Sequence, residues 1–520
     1  MAMLIGTIFK LGLKLRYKFA TAHGSPLLQQ EETLSKLLKQ SAKTQFGQHY
    51  GFEKIQQQAS LIADFQQRVP IVDYQTMFER WWKKALAGEE NVSWTGKIKH
   101  FALSSGTTGG SSKFIPVSDE LIKSMRRTSL RVFGCNDALK MASNFFEGDF
   151  LFIGSCTQLK PYSAQSDILI GDVSGINTGK IPKWFDHFYR PGKAITDLPD
   201  WEQRLAAMVK NAPSWDIKLI TGIPSWVQMV LEEIIKTYKL ENIAQIWPNL
   251  QAYASGGIAF APYKARFDKL IGKQIIYLDT YYSSEGSLAA QTDFKNPLMP
   301  LELMLNNGIF FEFVPFNDEN FPNGEISPQA QALTIDKVEL NVTYALLIST
   351  CAGAWRYLIG DTVKFVSLSP PQVLITGRTK QFLSLTGEHI SVENMNAAIT
   401  ATETRFGVDI LEFTVKGLQK ADNHFAHVWF LGLKMPVDTE KSGEIIAFID
   451  DFLQANNDDY RTERRHNLLK TVEGTIIPAS IFYDFQKSQG KMGGQVKFPR
   501  VMNDAQYQLW LDFLQKNNIL

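Results

Sequence analysis

The stretch that decides the fold reads Ser104-Ser105-Gly106-Thr107-Thr108-Gly109-Gly110-Ser111-Ser112-Lys113. It lies between two apolar runs, His100-Phe101-Ala102-Leu103 and Phe114-Ile115-Pro116-Val117. That pattern predicts a strand, a loop and a second strand. Glycines let backbone N–H groups come close to an anion, and the hydroxyls add donors for phosphate oxygens. It is not a Walker loop, because Lys113 follows Ser112 and precedes Phe114 rather than sitting in Gly-Lys-Ser/Thr. The cluster reads as a phosphate cradle, the alternative being an ordinary polar hairpin loop.

On the N-terminal side the chain reads as helices. Leucines recur at helical spacing over Glu31–Gln45, Asp64 is placed to cap a helix running through Phe65, and Tyr74–Ala87 forms another. On the C-terminal side, Asp119–Leu139 is helical in period. Short β-branched runs then alternate with helical segments. Asp149–Ile153, Ile217–Ile220, Gln274–Leu278, Ile309–Val314 and Val373–Ile375 are the expected strands, so the body is α/β. The pattern restarts after Gly377-Arg378-Thr379-Lys380. A helix near 391–403, strands near 409–416 and 425–433, and a helix at 441–455 predict a smaller α+β unit. The expected division is 1–376 and 377–520. The glycine-rich Ser488–Gln495 reads as an exposed, mobile loop.

Bulk properties narrow the function. The chain has 520 residues, enough for two to four structural units. Its 54 basic and 53 acidic side chains leave a net charge of +1, without the basic footprint of a nucleic-acid binder. Three cysteines, Cys135, Cys156 and Cys351, form no CxxC pair, which suits a reducing cytosol. Eight scattered histidines make no zinc motif. The apolar N-terminus carries Lys10, Lys14, Arg16 and Lys18 and is expected to be an amphipathic helix packed on the body, the alternative being attachment to a membrane surface. No later stretch offers about 18 uninterrupted apolar residues, so no membrane span is expected.

Four further segments could carry chemistry. Tyr281-Tyr282-Ser283-Ser284-Glu285-Gly286 follows an expected strand, where a carboxylate can hold Mg²⁺ or simply be solvated. In Trp355-Arg356-Tyr357-Leu358-Ile359-Gly360-Asp361-Thr362, the Asp is either a ribose acceptor or a turn residue. Gly377–Lys380 with Ser384–Glu393 is either a boundary or a hinge, and Ser391 is placed to cap the next helix. Gly494-Gln495-Val496-Lys497-Phe498-Pro499-Arg500 offers a movable cation or a surface lysine.

Taken in order, these segments resemble the adenylate-forming enzymes, such as the acyl-CoA synthetases. Ser255-Gly256-Gly257-Ile258-Ala259 looks like the adenine-side glycine motif of that superfamily. Tyr281–Glu285 resembles Tyr-Gly-x-Thr-Glu, with Tyr282 in place of Gly and Ser284 in place of Thr. Tyr357–Asp361 resembles Tyr-Arg-Thr-Gly-Asp, and Gly377–Glu393 resembles the hinge. The double Ser before Gly106, the Ser-Ser-Glu and the Gln-x-Lys-x-Pro-Arg ending are similar to the Gretchen Hagen family of acyl-acid amido synthetases, in its bacterial form. Ala42–Phe52, Gly171–Ile176 and Gly222–Trp226 share the likeness, which spans roughly 30–500.

The resemblance implies a two-step ligase. ATP and a carboxylic acid give acyl-adenylate and pyrophosphate, and the amine of an amino acid then takes the acyl group. Ser104, Ser105, Gly106, Thr107 and Thr108 would cradle phosphates. Ser255, Gly256, Gly257, Tyr281, Tyr282, Ser283, Ser284 and Arg378 would border the nucleotide. Glu285 would hold Mg²⁺, Asp361 the ribose and Lys497 the adenylation transition state, with Lys380 as the pivot. The acyl pocket is expected around 120–230, including the helix with Arg126, Arg127 and Arg131, and Trp226 either packs or lines it, packing being the favoured role. A cytoplasmic monomer acting on small molecules is expected. An acyl-CoA ligase shares the first step and is the alternative. A non-catalytic nucleotide-binding protein fits less well, because every one of these positions is filled.

Overall fold

Strand pairing changes character at Ile276–Ser283. One edge of this strand pairs in parallel with Ala252–Gly256 and the other pairs antiparallel with Gly286–Ala290. The connections explain the change. Helices Pro224–Tyr238 and Lys264–Ile271 carry the crossovers between Ile217–Gly222, Ala252–Gly256 and Ile276–Ser283, whereas only Ser284 and Glu285 separate Ile276–Ser283 from Gly286–Ala290. Parallel neighbours require such a crossover, and a two-residue link permits only a hairpin.

The computed structural model describes residues 10–15, 17, 24–104, 113–135, 143–154, 157–181, 185–198, 200–256, 260, 263–317, 319–322, 325–379, 383, 385, 388, 390–420, 425–465, 469–490 and 498–520. The switch strand sits within an 11-stranded sheet. Its parallel side continues through Ala252–Gly256, Ile217–Gly222, Asp149–Ile153 and Tyr189–Arg190. Its antiparallel side runs through Gly286–Ala290, Leu301–Leu303, Pro371–Arg378, Tyr357–Leu368, Thr343–Thr350 and Ile309–Pro315. A four-stranded sheet holds the hairpin His100–Ser104 and Lys113–Val117.

The smaller unit has three strands, Ile410–Gln419, Phe425–Leu433 and Glu473–Pro478. Alternation along Phe425–Leu433 builds two cores. Trp429 and Leu431 pack with Met395, Ile399, Ile445 and Ile449 of helices Val392–Phe406 and Thr439–Asn456. Val428 and Phe430 pack with Phe482, Trp510 and Leu514 of helices Ser480–Ser488 and Asp504–Lys516. The molecule is thus mixed α/β, a large sheet flanked by helices with a smaller C-terminal α+β unit.

Several elements depart from the sequence reading. The first expected helix spans Pro26–Ser41, started by Ser25 and Pro26. Asp64 lies in the first turn of Leu61–Arg68 instead of capping it. The helix at Tyr74 contains a π segment, Phe78–Trp82, before Lys83–Leu86. Helix Asp119–Gly134 ends before Leu139. Ser391 does cap Val392–Phe406, in a reciprocal box with Asn394. Residues 10–15 are helical, with Leu13 buried. Among the described residues no helix is long and apolar enough to cross a membrane.

The N-terminal helices are fastened by Trp355 and Arg356. Trp355 is fully buried against Phe46, Phe52 and Phe65, and its indole N–H donates to the Ser93 carbonyl at 2.9 Å. Arg356 has φ +41°, uncommon for a bulky residue. Its Nε sits 3.1 Å from both oxygens of the buried Glu312, and its Nη1 donates to the carbonyls of Gln66 and Val69. Breaking one side of a buried ion pair strands the other charge. Glu312→Ala is expected to cost about 3–5 kcal/mol, read as a lowered urea midpoint. An unchanged midpoint would show that the clamp is dispensable.

Candidate active site

The carboxyl ends of the parallel strands open onto one cavity of about 2080 Å³. Ligands in open α/β sheets bind at such strand ends. The size exceeds the roughly 300–1,000 Å³ of a typical small-ligand pocket. It is lined by Gly222, Gly256, Tyr281, Ser283, Ser284, Glu285, Asp361 and Arg378, and also by Phe413, Phe498 and Arg500 of the smaller unit.

Ser104 and Lys113 close the last pair of their hairpin and line the cavity. Ser105, Gly106, Thr107 and Thr108 belong to the connection between them and lie outside the described residues. The Lys113 ammonium stands 5.1 Å from the Tyr74 ring centre, and the Tyr74 hydroxyl accepts the Phe114 N–H at 2.9 Å. The stem of the loop is therefore fixed against the N-terminal helices.

Tyr281, Asp361 and Arg378 come together from three separate strands. The Tyr281 hydroxyl donates to Asp361 Oδ2 at 2.5 Å. Arg378 Nε lies 3.3 Å from Asp361 Oδ1, and the two residues are register partners. Arg378 Nη2 also donates to the Ile359 carbonyl at 3.0 Å. Gly360 makes this approach possible. Its φ is +88°, and a Cβ there would stand 3.2 Å from Arg378 Nη2. Burial and Asp361 keep the Tyr281 hydroxyl protonated, and Asp361 raises the Arg378 guanidinium further above its usual range. A carboxylate has about four lone-pair sites, so Asp361 keeps capacity for further donors. From the sequence, Asp361 is expected in a turn or at a ribose. It lies within strand Tyr357–Leu368, because the register continues through it.

The neighbouring strand is expected from the sequence to end at Leu278. It runs on to Ser283, so Tyr281, Tyr282 and Ser283 are strand residues and Glu285 is in the hairpin turn. The Tyr282 hydroxyl is 3.1 Å from Ser129 Oγ and 3.3 Å from the Met125 carbonyl, tying helix Asp119–Gly134 to the cavity rim. The Ser283 hydroxyl reaches the Gly286 carbonyl at 3.4 Å. Glu285 is 8% exposed. Burial raises its carboxyl above the usual range, with Asp361 adding to this and Lys113 and Arg378 opposing it.

Mg²⁺ binds through one or two carboxylates together with substrate phosphates, keeping water for the rest. A single buried carboxylate beside the stems of a hydroxyl-rich loop fits that requirement. Among the described residues no three His, Cys, Asp or Glu side chains gather as a cage.

Ser255 is fully buried and Gly256 lines the cavity, while Gly257 lies outside the described residues. Lys380 and Lys497 lie outside them as well. The chain that leaves Lys497 lines the same cavity. Thr414 donates to the Pro499 carbonyl at 2.7 Å, and Arg500 Nη1 donates to Glu412 at 2.6 Å with its guanidinium 4.3 Å from the Phe413 ring centre. Ion pairs join the smaller unit to the large one, with Arg266 at 3.3 Å from Asp409, Lys434 at 3.4 Å from Glu232, and Lys364 at 3.5 Å from Glu393. Of the three helix arginines, only Arg126 lines the cavity. Arg127 bonds Asn307 and Arg131 pairs with Glu302. Trp226 packs edge-on against Trp201 and is not a lining residue.

Asp279 was not foreseen. It lines the cavity two residues before Tyr281, and burial pushes its carboxyl up to about 7. An acidic residue directly after the apolar run Ile275–Leu278 is the one signal in the sequence that could have found it.

Comparison with known proteins agrees with this geometry. The fold is that of the adenylate-forming ligases. The GH3.15 acyl acid amido synthetase superposes with a TM-score of 0.77 at 16% identity, over 95% of this chain and 94% of that one. 2-Hydroxyisobutyryl-CoA ligase in its postadenylation state, with 2-HIB-AMP, superposes at 0.55 and 13% identity, over 94% and 91%. Models of the GH3 family N-terminal, central and C-terminal domains match residues 17–210, 302–378 and 393–506. The chain belongs to the GH3 family. It is 23% identical over 562 residues to the jasmonoyl–L-amino acid synthetase JAR6 of Nicotiana attenuata, covering 94% of this chain and 93% of the relative. It is 22% identical to the indole-3-acetic acid-amido synthetase GH3.8 of Oryza sativa subsp. indica, covering 91% and 87%.

The Asp279 carboxyl makes a prediction. Its pKa is about 7 when folded and 3.8 ordinarily, so the folded state holds a proton that the unfolded state has released. Stability therefore falls as pH rises from 3.8 towards 7 and then levels off. Asp279→Asn removes this loss. Its gain in unfolding temperature is expected to be larger at pH about 8 than at pH about 5. An equal gain at both pH values, or none, would contradict the shift.

Proposed function

We propose that this chain is an ATP-dependent acyl-acid amido synthetase. One observation carries the reading: Ser104, Glu285, Asp361 and Arg378, scattered through the sequence, line a single cavity. Membership of the GH3 family and the adenylate-forming fold support it.

In the first step a substrate carboxylate oxygen attacks the α-phosphorus of ATP, and pyrophosphate leaves. Ser104 and the hydroxyls of Ser105, Thr107 and Thr108, with the N–H of Gly106, hold the phosphate oxygens. Glu285 holds Mg²⁺, which when bound offsets phosphate charge. Asp361, oriented by Tyr281 and Arg378, accepts both ribose hydroxyls. Ser255, Gly256 and Gly257 border the base. Tyr282, Ser283 and Ser284 shape the turn that presents Glu285. Lys497 supplies a cation where charge develops on the carboxylate and the leaving group.

In the second step the neutral amine of an amino acid attacks the acyl carbonyl. The amide forms, AMP leaves and the amine gives up a proton. Activation divides one hard step into two easier ones, because AMP is a far better leaving group than hydroxide. The 377–520 unit turns about Lys380 between the steps, a gating motion. The enzyme is read as a monomer, and three cysteines without a CxxC pair suit the reducing cytosol.

Lys497→Ala is expected to lower acid-dependent ATP–pyrophosphate exchange by about 10²–10³-fold while ATP binding changes little. Exchange near the wild-type rate would remove Lys497 from the chemistry.

A further inference from the structure

The cavity does not stop at the nucleotide. It continues between helix Asp119–Gly134 and one face of the large sheet, and the residues there are small on the floor and aromatic on the walls. Along Ala252–Gly256, Tyr253 points to the opposite face and packs with Phe260 and Phe267. Ala254 and Gly256 face the helix and line the cavity. Had these been large side chains, sheet and helix would meet without a gap. Phe133, Phe146, Phe150, Phe152, Phe185 and Phe188 form the walls. Leu130 and Met125 come from the helix above.

Length and charge follow from the same geometry. Lining residues along Asp149–Ile153 run from Phe150 to Ile153, three steps or about 10 Å at the rise of a strand. Neither Asp149–Ile153 nor Ile217–Gly222 contributes a charged group to the lining. The helix contributes one, Arg126, whose guanidinium is bonded to the Lys180 carbonyl. Ser129 and Thr221 add hydroxyls on this side, and Asp172, Ser174, Asn177 and Thr178 line the cavity beyond them. Among the described residues the floor and the phenylalanine walls offer no cation, so a second charge lying against them is buried at a heavy cost. An apolar tail would displace water from aromatic walls, which is favourable in proportion to its area.

We infer that the acid activated here is a monocarboxylate with an extended apolar chain, fatty-acid-like, whose carboxylate lies near Tyr282 and Ser129 and whose tail lies between Ala254 and the phenylalanine walls. This deepens the adenylation reading and rests on it.

The full chain, assayed by ATP–pyrophosphate exchange, tests it with acetate, butanoate, hexanoate, octanoate, benzoate and suberate. From butanoate to octanoate kcat/KM is expected to climb about fourfold per added methylene. Suberate, as long as octanoate but ending in a second carboxylate, is expected to be on the order of a hundredfold poorer. Ala254→Phe on the floor and Leu130→Trp on the facing helix are each expected to lower the octanoate-to-butanoate ratio, so either one serves if the other does not fold. A flat chain-length series, or a preference for suberate or benzoate, overturns the apolar-tail assignment while adenylation stands. Failure of every acid to support exchange overturns both.

Discussion

A hairpin of two residues governs the site. Ser284 and Glu285 leave no room for a crossover helix, so the sheet must change from parallel to antiparallel there. The parallel side then opens its strand ends towards the cavity, as open α/β sheets do. The antiparallel side places Tyr357–Leu368 and Pro371–Arg378 where Asp361 and Arg378 meet Tyr281. The same turn buries Glu285 at the junction. Lengthening this link would disturb the carboxylate and the three-strand cluster together.

Around that junction the structure uses buried polar groups to fix geometry. Asp361 is held by a phenol on one oxygen and a guanidinium on the other, which leaves its direction little freedom. Arg356, five residues earlier, acts at a greater distance. Its pairing with Glu312 and its bonds to Gln66 and Val69 seat the N-terminal helices on the antiparallel side. Exposed pairs between the two units, such as Lys364 with Glu393, contribute little individually. A light ionic seam of this kind is compatible with the proposed turning of the smaller unit between the two steps.

Local signals were legible in the sequence, and long-range ones were not. The hairpin stems His100–Ser104 and Lys113–Val117 follow from apolar runs around a Ser/Gly/Thr cluster, and Ser391 announces its helix by its capping chemistry. The family likeness was carried by short motifs that survive at low overall identity. The pairing of Tyr281 with Asp361 spans 80 residues, and no local pattern predicts it. The strand through Tyr281–Ser283 was read too short because hydroxyl-rich motifs resemble turns, whereas here two neighbouring strands enforce extension. Arg127 and Arg131 share a helix with Arg126, yet Asn307 and Glu302 hold them away from the cavity. Asp279 escaped notice because only burial, which depends on the whole fold, makes it unusual.

The account depends on one nucleotide bridging strand ends and loops that are far apart in the chain. A crystal structure of the protein with AMP bound tests that most directly. The base should lie beside Gly256, the ribose hydroxyls within hydrogen-bond distance of Asp361, and the phosphate next to the Ser104–Lys113 connection. Finding AMP in another cleft, or Asp361 bonded only to Tyr281 and Arg378 with the ribose turned away, would contradict it.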